Sequence, residues 1–293
     1  MELEFIVKDN KYKNINQILK TEFNISSRLL VKLINNKKVL LNGISVDTRN
    51  SIKIGDIITV LLNIEENNSN IVPTKMDLKV VYEDDGLLVI DKPFGIPVHP
   101  SILHYEDSLS NGVRYYFDKI GLKKKIRPVN RLDKNTTGLV IFAKNEYIQE
   151  CLIKQMKDNI FKKEYLCIVS GILKEKSGTI NAPIKRKENS IIERCIDTYG
   201  QPSITHFEVI KEYRDYSLVK CILETGRTHQ IRVHMAYIGH PLLGDELYGA
   251  KSELIQRQAL HCYKLSFINP LNQNNQILES FIPEDFKKII GKS

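Results

Sequence analysis

Hydrophobic positions in the first 63 residues follow a helical repeat and then a strand repeat. Apolar side chains between residues 15 and 23 recur every three or four positions and predict one helix, and Ser26-Ser27 supplies residue types that cap the start of a second. The Asn42-Gly43 pair lies between two short apolar runs and predicts a two-residue hairpin, and Ile57–Leu62 reads as a further strand. Two helices and a short sheet therefore account for this segment.

Short apolar and β-branched runs dominate the chain from residue 76 onwards. Strand patterns are found at residues 78–82, 87–91, 138–143, 164–170, 205–210 and 217–223. Helical spacing predicts helices near residues 109–119, 146–158 and 229–238. Because successive strands are separated mostly by turns, we expect neighbouring strands to pair. The pattern predicts an α+β fold: a mixed, largely antiparallel sheet with flanking helices, preceded by a small α+β domain.

Residues 64–75 differ from both flanking segments because they are polar, near a proline and without hydrophobic period. They predict a linker that would let the small domain move relative to the larger one. We therefore divide the chain into a small domain over 1–63, a linker over 64–75 and a larger domain over 76–293.

Charge and cysteine usage narrow the class of protein. The formal net charge is +8, and residues 1–63 carry 10 Lys and Arg against 6 Asp and Glu. An excess of this sign favours a polyanionic partner such as nucleic acid. The five cysteines form no Cys-x-x-Cys pair, which favours reduced thiols over a zinc site or disulfides, and no apolar run reaches membrane-spanning length. We expect a soluble, cytoplasmic protein.

The second predicted helix carries cations that could face RNA. Arg28 and Lys32 lie four residues apart on one expected face, and Lys37 and Lys38 follow the helix. The segment 1–63 resembles the ribosomal-protein S-four-type RNA-binding domain, in which the second helix and the following loop hold RNA phosphates. The alternative is a helix with a solvated basic face.

The residues around Asp133 carry the most informative chemistry. Arg131-Leu132-Asp133 follows a proline-broken basic stretch and precedes a β-branched run at Leu139–Phe142, so Asp133 is expected on a loop that leads into a buried strand. A carboxylate in that position can act as a nucleophile. The alternative is an exposed ion pair between Arg131 and Asp133.

Four motifs follow one another along the larger predicted domain: the strand and Pro-rich loop at 82–100, the Arg131-Leu132-Asp133 loop, the strand at 161–171 around Tyr165, and the run at 223–249 that includes Arg227. In this order they resemble the RluA family of RNA pseudouridine synthases over about residues 76–285. The sequence departs from the family pattern at Asn130 and Asn269, where the family usually has His, and at Thr137, where Ser is common. These departures bear on the sub-family and the RNA target.

The resemblance implies a role for each motif. Asp133 would be the nucleophilic carboxylate, Arg227 would pair with it, and Tyr165 would stack on the uracil. Arg131 would fill the space that a flipped-out nucleotide leaves. Isomerisation of uridine needs no redox cofactor or metal, so we expect neither. Without the resemblance, Tyr165 would be taken as a core tyrosine and Arg227 as a cation at a helix start.

Histidines near Asp245 suggest a metal site as an alternative, which we disfavour. His229 and His234 lie five residues apart, which is the wrong spacing for one helical face, although His240 and Asp245 follow closely. Our interpretation is instead a monomeric, cofactor-free pseudouridine synthase that acts on RNA, with large-subunit rRNA as the expected target. The alternatives are a tRNA-directed synthase and a non-enzymatic RNA-binding ribosome-assembly factor on the same scaffold.

Overall fold

The computed structural model describes residues 1–68 and 70–291, and its first 61 residues form a four-stranded antiparallel sheet with two helices. The elements are β1 (Glu2–Ile6), α1 (Ile15–Thr21), α2 (Ser27–Asn35), β2 (Val39–Leu41), β3 (Ile44–Ser45) and β4 (Ile57–Leu61). The strand order is β1-β4-β2-β3. The side chains of Asn14 and Ser26 accept hydrogen bonds from backbone N–H groups in the first turns of α1 and α2. The two helices, the hairpin and the last strand lie where the hydrophobic pattern predicts them.

Residues after β4 are anchored rather than free. The Asn68 side chain accepts a hydrogen bond from the backbone N–H of Ile126 and donates to the carbonyl of Lys124. Ile71 is buried in the core, and the Glu66 side chain, 5% exposed, pairs with Arg127. Polar side chains of the segment predicted as a linker, 64–75, therefore find partners near residues 124–127. The division of the chain into domains at these boundaries stays a prediction.

The rest of the described chain is built on one nine-stranded sheet. Its elements are β5 (Val80–Glu83), β6 (Leu87–Lys92), α3 (Leu109–Lys119), β7 (Thr137–Ala143), α4 (Glu146–Lys157), β8 (Lys162–Ser170), β9 (Ser177–Asn181), β10 (Ile184–Arg186), β11 (Arg194–Ile196), β12 (Ile204–Glu212), β13 (Tyr216–Leu223), α5 (Gln230–Tyr237), β14 (Leu260–Ile268), β15 (Asn275–Glu279) and α6 (Glu284–Ile290). The strand order is β5-β6-β7-β14-β8-β13-β12-β9, and β15 pairs with β14. Strands β10 and β11 form a separate antiparallel hairpin.

The sheet confirms the predicted fold class. Strand β14 runs parallel to β7 and antiparallel to β8, and the other pairings are antiparallel. Strand β7, buried along its whole length, lies in the interior of the sheet between β6 and β14. The loop that precedes β7 consequently leads directly into a fully buried strand.

Gly138 allows β7 and β14 to approach each other. Its φ is +112°, and a Cβ at this position would lie 2.1 Å from the carbonyl oxygen of Cys262. Any side chain here would both clash with backbone and adopt an unfavourable φ. Glycine is thus required five residues after Asp133 for the parallel pairing to form.

Candidate active site

Asp133 lies on a loop whose first residues are hydrogen-bonded to the backbone of β7. The Asn130 side chain donates to the carbonyl of Leu139 and accepts from the backbone N–H of Ile141, both at 2.9 Å. Within the loop, the backbone N–H of Thr136 donates to the carbonyl of Asp133 at 3.0 Å. The amide of Asn130 therefore fixes the loop through two hydrogen bonds to the backbone.

A buried lysine from the Pro-rich loop supports the same turn from the other side. The Nζ of Lys92, whose residue is 1% exposed, donates to the carbonyls of Pro93, Ile96 and Lys134 at 2.8 to 2.9 Å. Burial lowers the pKa of Lys92 to about 7, and the nearby charge of Asp133 opposes this shift. The first motif thus positions the backbone next to Asp133 rather than contributing a group to the pocket.

Two side chains lie close to the same oxygen of the Asp133 carboxylate. Arg232 donates from Nη1 to Oδ2 at 3.2 Å, and Nε2 of His229 lies 3.8 Å from the same Oδ2. In the part of the chain that the structure describes, no hydrogen bond reaches Oδ1 of this carboxylate. Arg232 therefore holds one of the two carboxylate oxygens.

Arg232, rather than Arg227, pairs with Asp133, which corrects the sequence-based assignment. The Arg232 guanidinium also binds the buried Asp245 through two contacts, Nε to Oδ2 at 2.7 Å and Nη2 to Oδ1 at 2.8 Å. This two-point contact fixes the plane of the guanidinium and aims its remaining nitrogen at Asp133. Arg227 donates from Nε to the carbonyl of Pro202 at 3.1 Å instead.

The position of helix α5 places Arg232, and not Arg227, next to Asp133. Helix α5 begins at Gln230, three residues after Arg227, and His229 caps it in the left-handed conformation with φ of 60°. The Gln230 side chain accepts hydrogen bonds from the backbone N–H of Arg227 and from the hydroxyl of Thr225. Arg227 thus remains in the preceding loop, whereas Arg232 lies in the first turns of the helix and is buried.

Tyr165 lines the same cavity from strand β8. The residue is 5% exposed, and burial raises its pKa well above the ordinary value for a tyrosine. Its phenol is therefore protonated at neutral pH, so it can offer an aromatic face and a hydroxyl group but not a phenolate base. This state is compatible with stacking on a pyrimidine.

The residues predicted for catalysis meet at one small cavity. Arg131, Asp133, Tyr165 and Arg227 all line it, together with Arg232 and His229, which the sequence reasoning did not assign. Its volume is about 60 Å³, which corresponds to about two water molecules.

Arg131 is exposed at this cavity and is not paired with Asp133. Among the described residues, the cations within 4.0 Å of the Asp133 carboxylate are Arg232 and His229, the latter only when it is protonated. The alternative of an Arg131–Asp133 surface ion pair is therefore not what the structure contains. The Arg131 side chain lies at the cavity without forming an ion pair with Asp133.

The predicted RNA-binding cations fall into two groups. Lys32 faces the larger domain, where it pairs with Glu66 and with Glu146, and the highly exposed Arg28 lies 3.6 Å from Glu146. Lys37 is exposed and Lys38 is partly exposed beyond the end of α2. The structure thus places Lys32 in a contact between α2 and α4 rather than on an open face, because carboxylates from two segments surround it.

The histidines and carboxylates do not gather into a metal site in the described residues. No group of three or more His, Cys, Asp or Glu side chains there has the arrangement to hold a metal ion. His234 contacts Thr205 and the carbonyl of Ala182, and Asp245 is bound to Arg232. None of the described helices is long and apolar enough to cross a bilayer.

Comparisons with known proteins identify the family of this chain. Residues 86–237 match the family described as RNA pseudouridylate synthase, which is just over half of the chain. An uncharacterised RNA pseudouridine synthase of Bacillus subtilis is 38% identical over 270 residues, which cover 92% of this chain and 95% of that protein. The ribosomal large subunit pseudouridine synthase D of Haemophilus ducreyi is 35% identical, over 94% of this chain and 89% of that protein.

A solved structure supports the same relationship. Human RNA Pseudouridylate Synthase Domain Containing 1 has a TM-score of 0.59 and 26% identity, and the match covers 71% of this chain and 84% of that chain. The matched family region contains Asp133, Tyr165 and Arg232. The chain therefore belongs to the RNA pseudouridine synthase family, and its relatives include members of the RluA group.

Proposed function

We propose that this enzyme converts specific uridines of large-subunit rRNA to pseudouridine, with Asp133 as the nucleophile. The observation that carries the proposal is the one-sided contact of the carboxylate: Arg232 holds Oδ2, and Oδ1 is left open in a cavity shared with Tyr165. A nucleophile needs this combination of a fixed geometry and a free lone pair. Relatives named for the ribosomal large subunit support rRNA as the substrate.

In the proposed reaction, the bond between uracil N1 and ribose C1′ breaks, the base turns within the pocket, and C5 bonds to C1′. The proton lost from C5 is balanced by the proton that N1 gains, so the reaction is an isomerisation. The reaction as written consumes no oxidant and no metal. Arg232 pairs directly with the Asp133 carboxylate and fixes its position.

Base flipping is part of the proposal because a stacked uridine cannot reach the carboxylate. The flipped base enters the cavity that Asp133 and Tyr165 line. Tyr165 then supplies an aromatic face for the uracil, and the exposed Arg131 is placed to occupy the gap in the RNA stack. Arg227, whose backbone is fixed by Gln230, is a second cation at the rim for the phosphates that flank the flipped nucleotide.

The small N-terminal domain is proposed to bind rRNA phosphates, as its resemblance to the ribosomal-protein S-four-type domain implies. Lys37, Lys38 and Arg28 are the cations available to RNA, whereas Lys32 is engaged by Glu66 and Glu146. We further propose that the enzyme works as a monomer in the cytoplasm, where it needs no metal.

The test is formation of pseudouridine by the purified protein on separate pools of unmodified large-subunit rRNA and tRNA. We expect pseudouridine in the rRNA pool with the wild-type enzyme and none with Asp133→Asn. Modification confined to tRNA would replace the rRNA target with the tRNA-directed alternative. Binding of rRNA without any pseudouridine would favour the ribosome-assembly alternative.

A further inference from the structure

His229 is a titratable side chain that is buried beside Asp133. Its side chain is 10% exposed, and Nε2 lies 3.8 Å from the Oδ2 atom that Arg232 also contacts. Its backbone has φ of 60° and ψ of 17°, which is a left-handed conformation outside glycine. Such conformations cost energy and are kept where the surrounding structure fixes them, often at functional sites.

Tyr248 fixes the orientation of the imidazole. The Tyr248 hydroxyl oxygen lies 2.8 Å from Nδ1 of His229, and the two rings meet edge to face at 5.6 Å. The Arg232 guanidinium lies over the Tyr248 ring at 5.0 Å. One tyrosine therefore braces both side chains that address Oδ2 of Asp133.

The hydrogen bonds around Tyr248 also select the protonated nitrogen of His229. The backbone N–H of Arg194 donates to the Tyr248 oxygen at 2.8 Å. If the tyrosine O–H then donates to Nδ1, all three groups are satisfied, whereas the opposite arrangement leaves the O–H without an acceptor. Burial lowers the pKa of His229, so the ring is neutral at neutral pH, and burial raises the pKa of Tyr248, so its proton is retained. The neutral ring consequently carries its proton on Nε2, the atom that faces Asp133.

We propose that His229 is a positioning residue for the nucleophile: its Nε2–H, oriented by Tyr248, holds Oδ2 of Asp133 together with Arg232 and leaves Oδ1 free to attack. The separation of 3.8 Å is longer than a hydrogen bond, and it closes when RNA binds, because catalytic hydrogen bonds commonly tighten in the substrate complex. The inference rests on the proposed role of Asp133.

Two substitutions separate the Nε2 contact from the rest of the side chain. His229→Asn keeps a polar group near the position of Nδ1 and tolerates the left-handed backbone, but it is too short to reach Asp133. His229→Gln extends an amide N–H to about the position of Nε2. We expect the asparagine variant to lower the single-turnover rate about 10- to 100-fold with little change in RNA affinity. The glutamine variant should recover most of that loss.

The assay uses total RNA from a gene-deleted strain that has been labelled with tritium at uracil C5, so it covers rRNA and tRNA together. Tritium release gives the single-turnover rate, and filter binding gives the affinity. His206→Asn, a substitution of a more exposed histidine on β12, is the matched control and should behave as wild type. Asp133→Asn is run in parallel and should release no tritium.

The outcomes distinguish this inference from the proposed function. If His229→Asn keeps the wild-type rate, or if His229→Gln is as slow as His229→Asn, the positioning role is wrong while the role of Asp133 stands. If Asp133→Asn still releases tritium, the proposed function itself fails. If His229→Asn shows no thermal unfolding transition, it does not fold, and Tyr248→Phe then tests the positioning role of His229. That variant keeps the ring but removes the hydroxyl, and we expect a slower rate at unchanged affinity; an unchanged rate would overturn the inference.

Discussion

Arg232 contacts Asp133 through a single nitrogen, Nη1 to Oδ2 at 3.2 Å, while its other two nitrogens are committed to the buried Asp245. This relationship makes the arginine a rigid link between a structural carboxylate and a reactive one. A lysine cannot reproduce it, because one ammonium group cannot span both carboxylates in a fixed plane. The geometry of the nucleophile therefore depends on a residue that lies 99 positions away in sequence.

Arg232→Lys should lower the single-turnover rate far more than Arg227→Lys. We expect a loss of about 100-fold for the first variant, because it shifts or frees the Asp133 carboxylate, and a rate near wild type for the second. Measurement of rate and RNA affinity for both proteins checks this. A larger loss of rate in Arg227→Lys would restore the assignment that the sequence alone predicts.

Glu66→Gln should lower the free energy of unfolding at neutral pH. It should also make that free energy depend less on pH in acid. Burial disfavours the Glu66 carboxylate, but hydrogen bonds from Arg127 and Lys32 outweigh it and lower its pKa from 4.5 to about 2. Since the pKa is lower in the folded state, the stabilisation is complete above pH 4.5 and is lost as the pH falls towards 2. The shift corresponds to about 3 kcal/mol.

Urea unfolding of wild type and Glu66→Gln at several pH values checks this expectation. Glu65→Gln is the matched control. The Glu65 side chain is 75% exposed, and its ion pair at 3.4 Å is with a lysine that is also exposed. The control should follow the wild-type curve. If Glu66→Gln shows the wild-type loss of stability between pH 4.5 and 2, another group is responsible for the acid sensitivity.

Lys37→Ala with Lys38→Ala should weaken RNA binding and reduce its salt dependence. Each phosphate contact contributes roughly 0.7 to 0.9 to the slope of log K against log salt, so the pair should remove about 1.4 to 1.8. Lys32→Ala should leave the slope nearly unchanged and lower the melting temperature instead, because Lys32 is paired with Glu66 and Glu146. Equal changes of slope in both proteins would mean that Lys32 leaves its carboxylates to bind RNA.

Gly138→Ala should destabilise the protein more strongly than Gly121→Ala. Both glycines have positive φ, but an added Cβ meets backbone at 2.1 Å in Gly138 and nothing within 4 Å in Gly121. Strain alone costs about 1 to 2 kcal/mol, and the clash adds to it at Gly138. Thermal or urea unfolding compares the two variants, and similar losses of stability would show that β7 and β14 separate without cost.

Hydrophobic periodicity was sufficient for much of this fold. The three helices predicted after residue 76 correspond to α3, α4 and α5 within a residue or two, and the six predicted strands are all present. The strand β14 was not predicted, although it pairs with three other strands. Its partners come from distant parts of the chain, so local pattern carries little information about its central position.

The candidate site was predictable as a set of motifs but not as a set of contacts. Asp133, Tyr165 and Arg227 do line one cavity, yet the residue that pairs with Asp133 is Arg232, in the same motif. Helix α5 begins at Gln230, one residue from the predicted start, and the contacts of Arg232 with Asp133 and Asp245 decide which arginine points inward, which a local sequence pattern does not show. The Glu66 contacts were missed for a related reason: a polar stretch gives no sign of whether water or a distant arginine will satisfy it.

The central claim is that Asp133 performs the isomerisation, with rRNA as the RNA target. The most direct measurement is nucleotide-resolution pseudouridine mapping of total RNA from the native host, compared with a strain that lacks the gene and is complemented by wild type or by Asp133→Asn. We predict that specific large-subunit rRNA signals disappear on deletion and return only with the wild-type protein. Restoration of the same signals by Asp133→Asn would contradict the account.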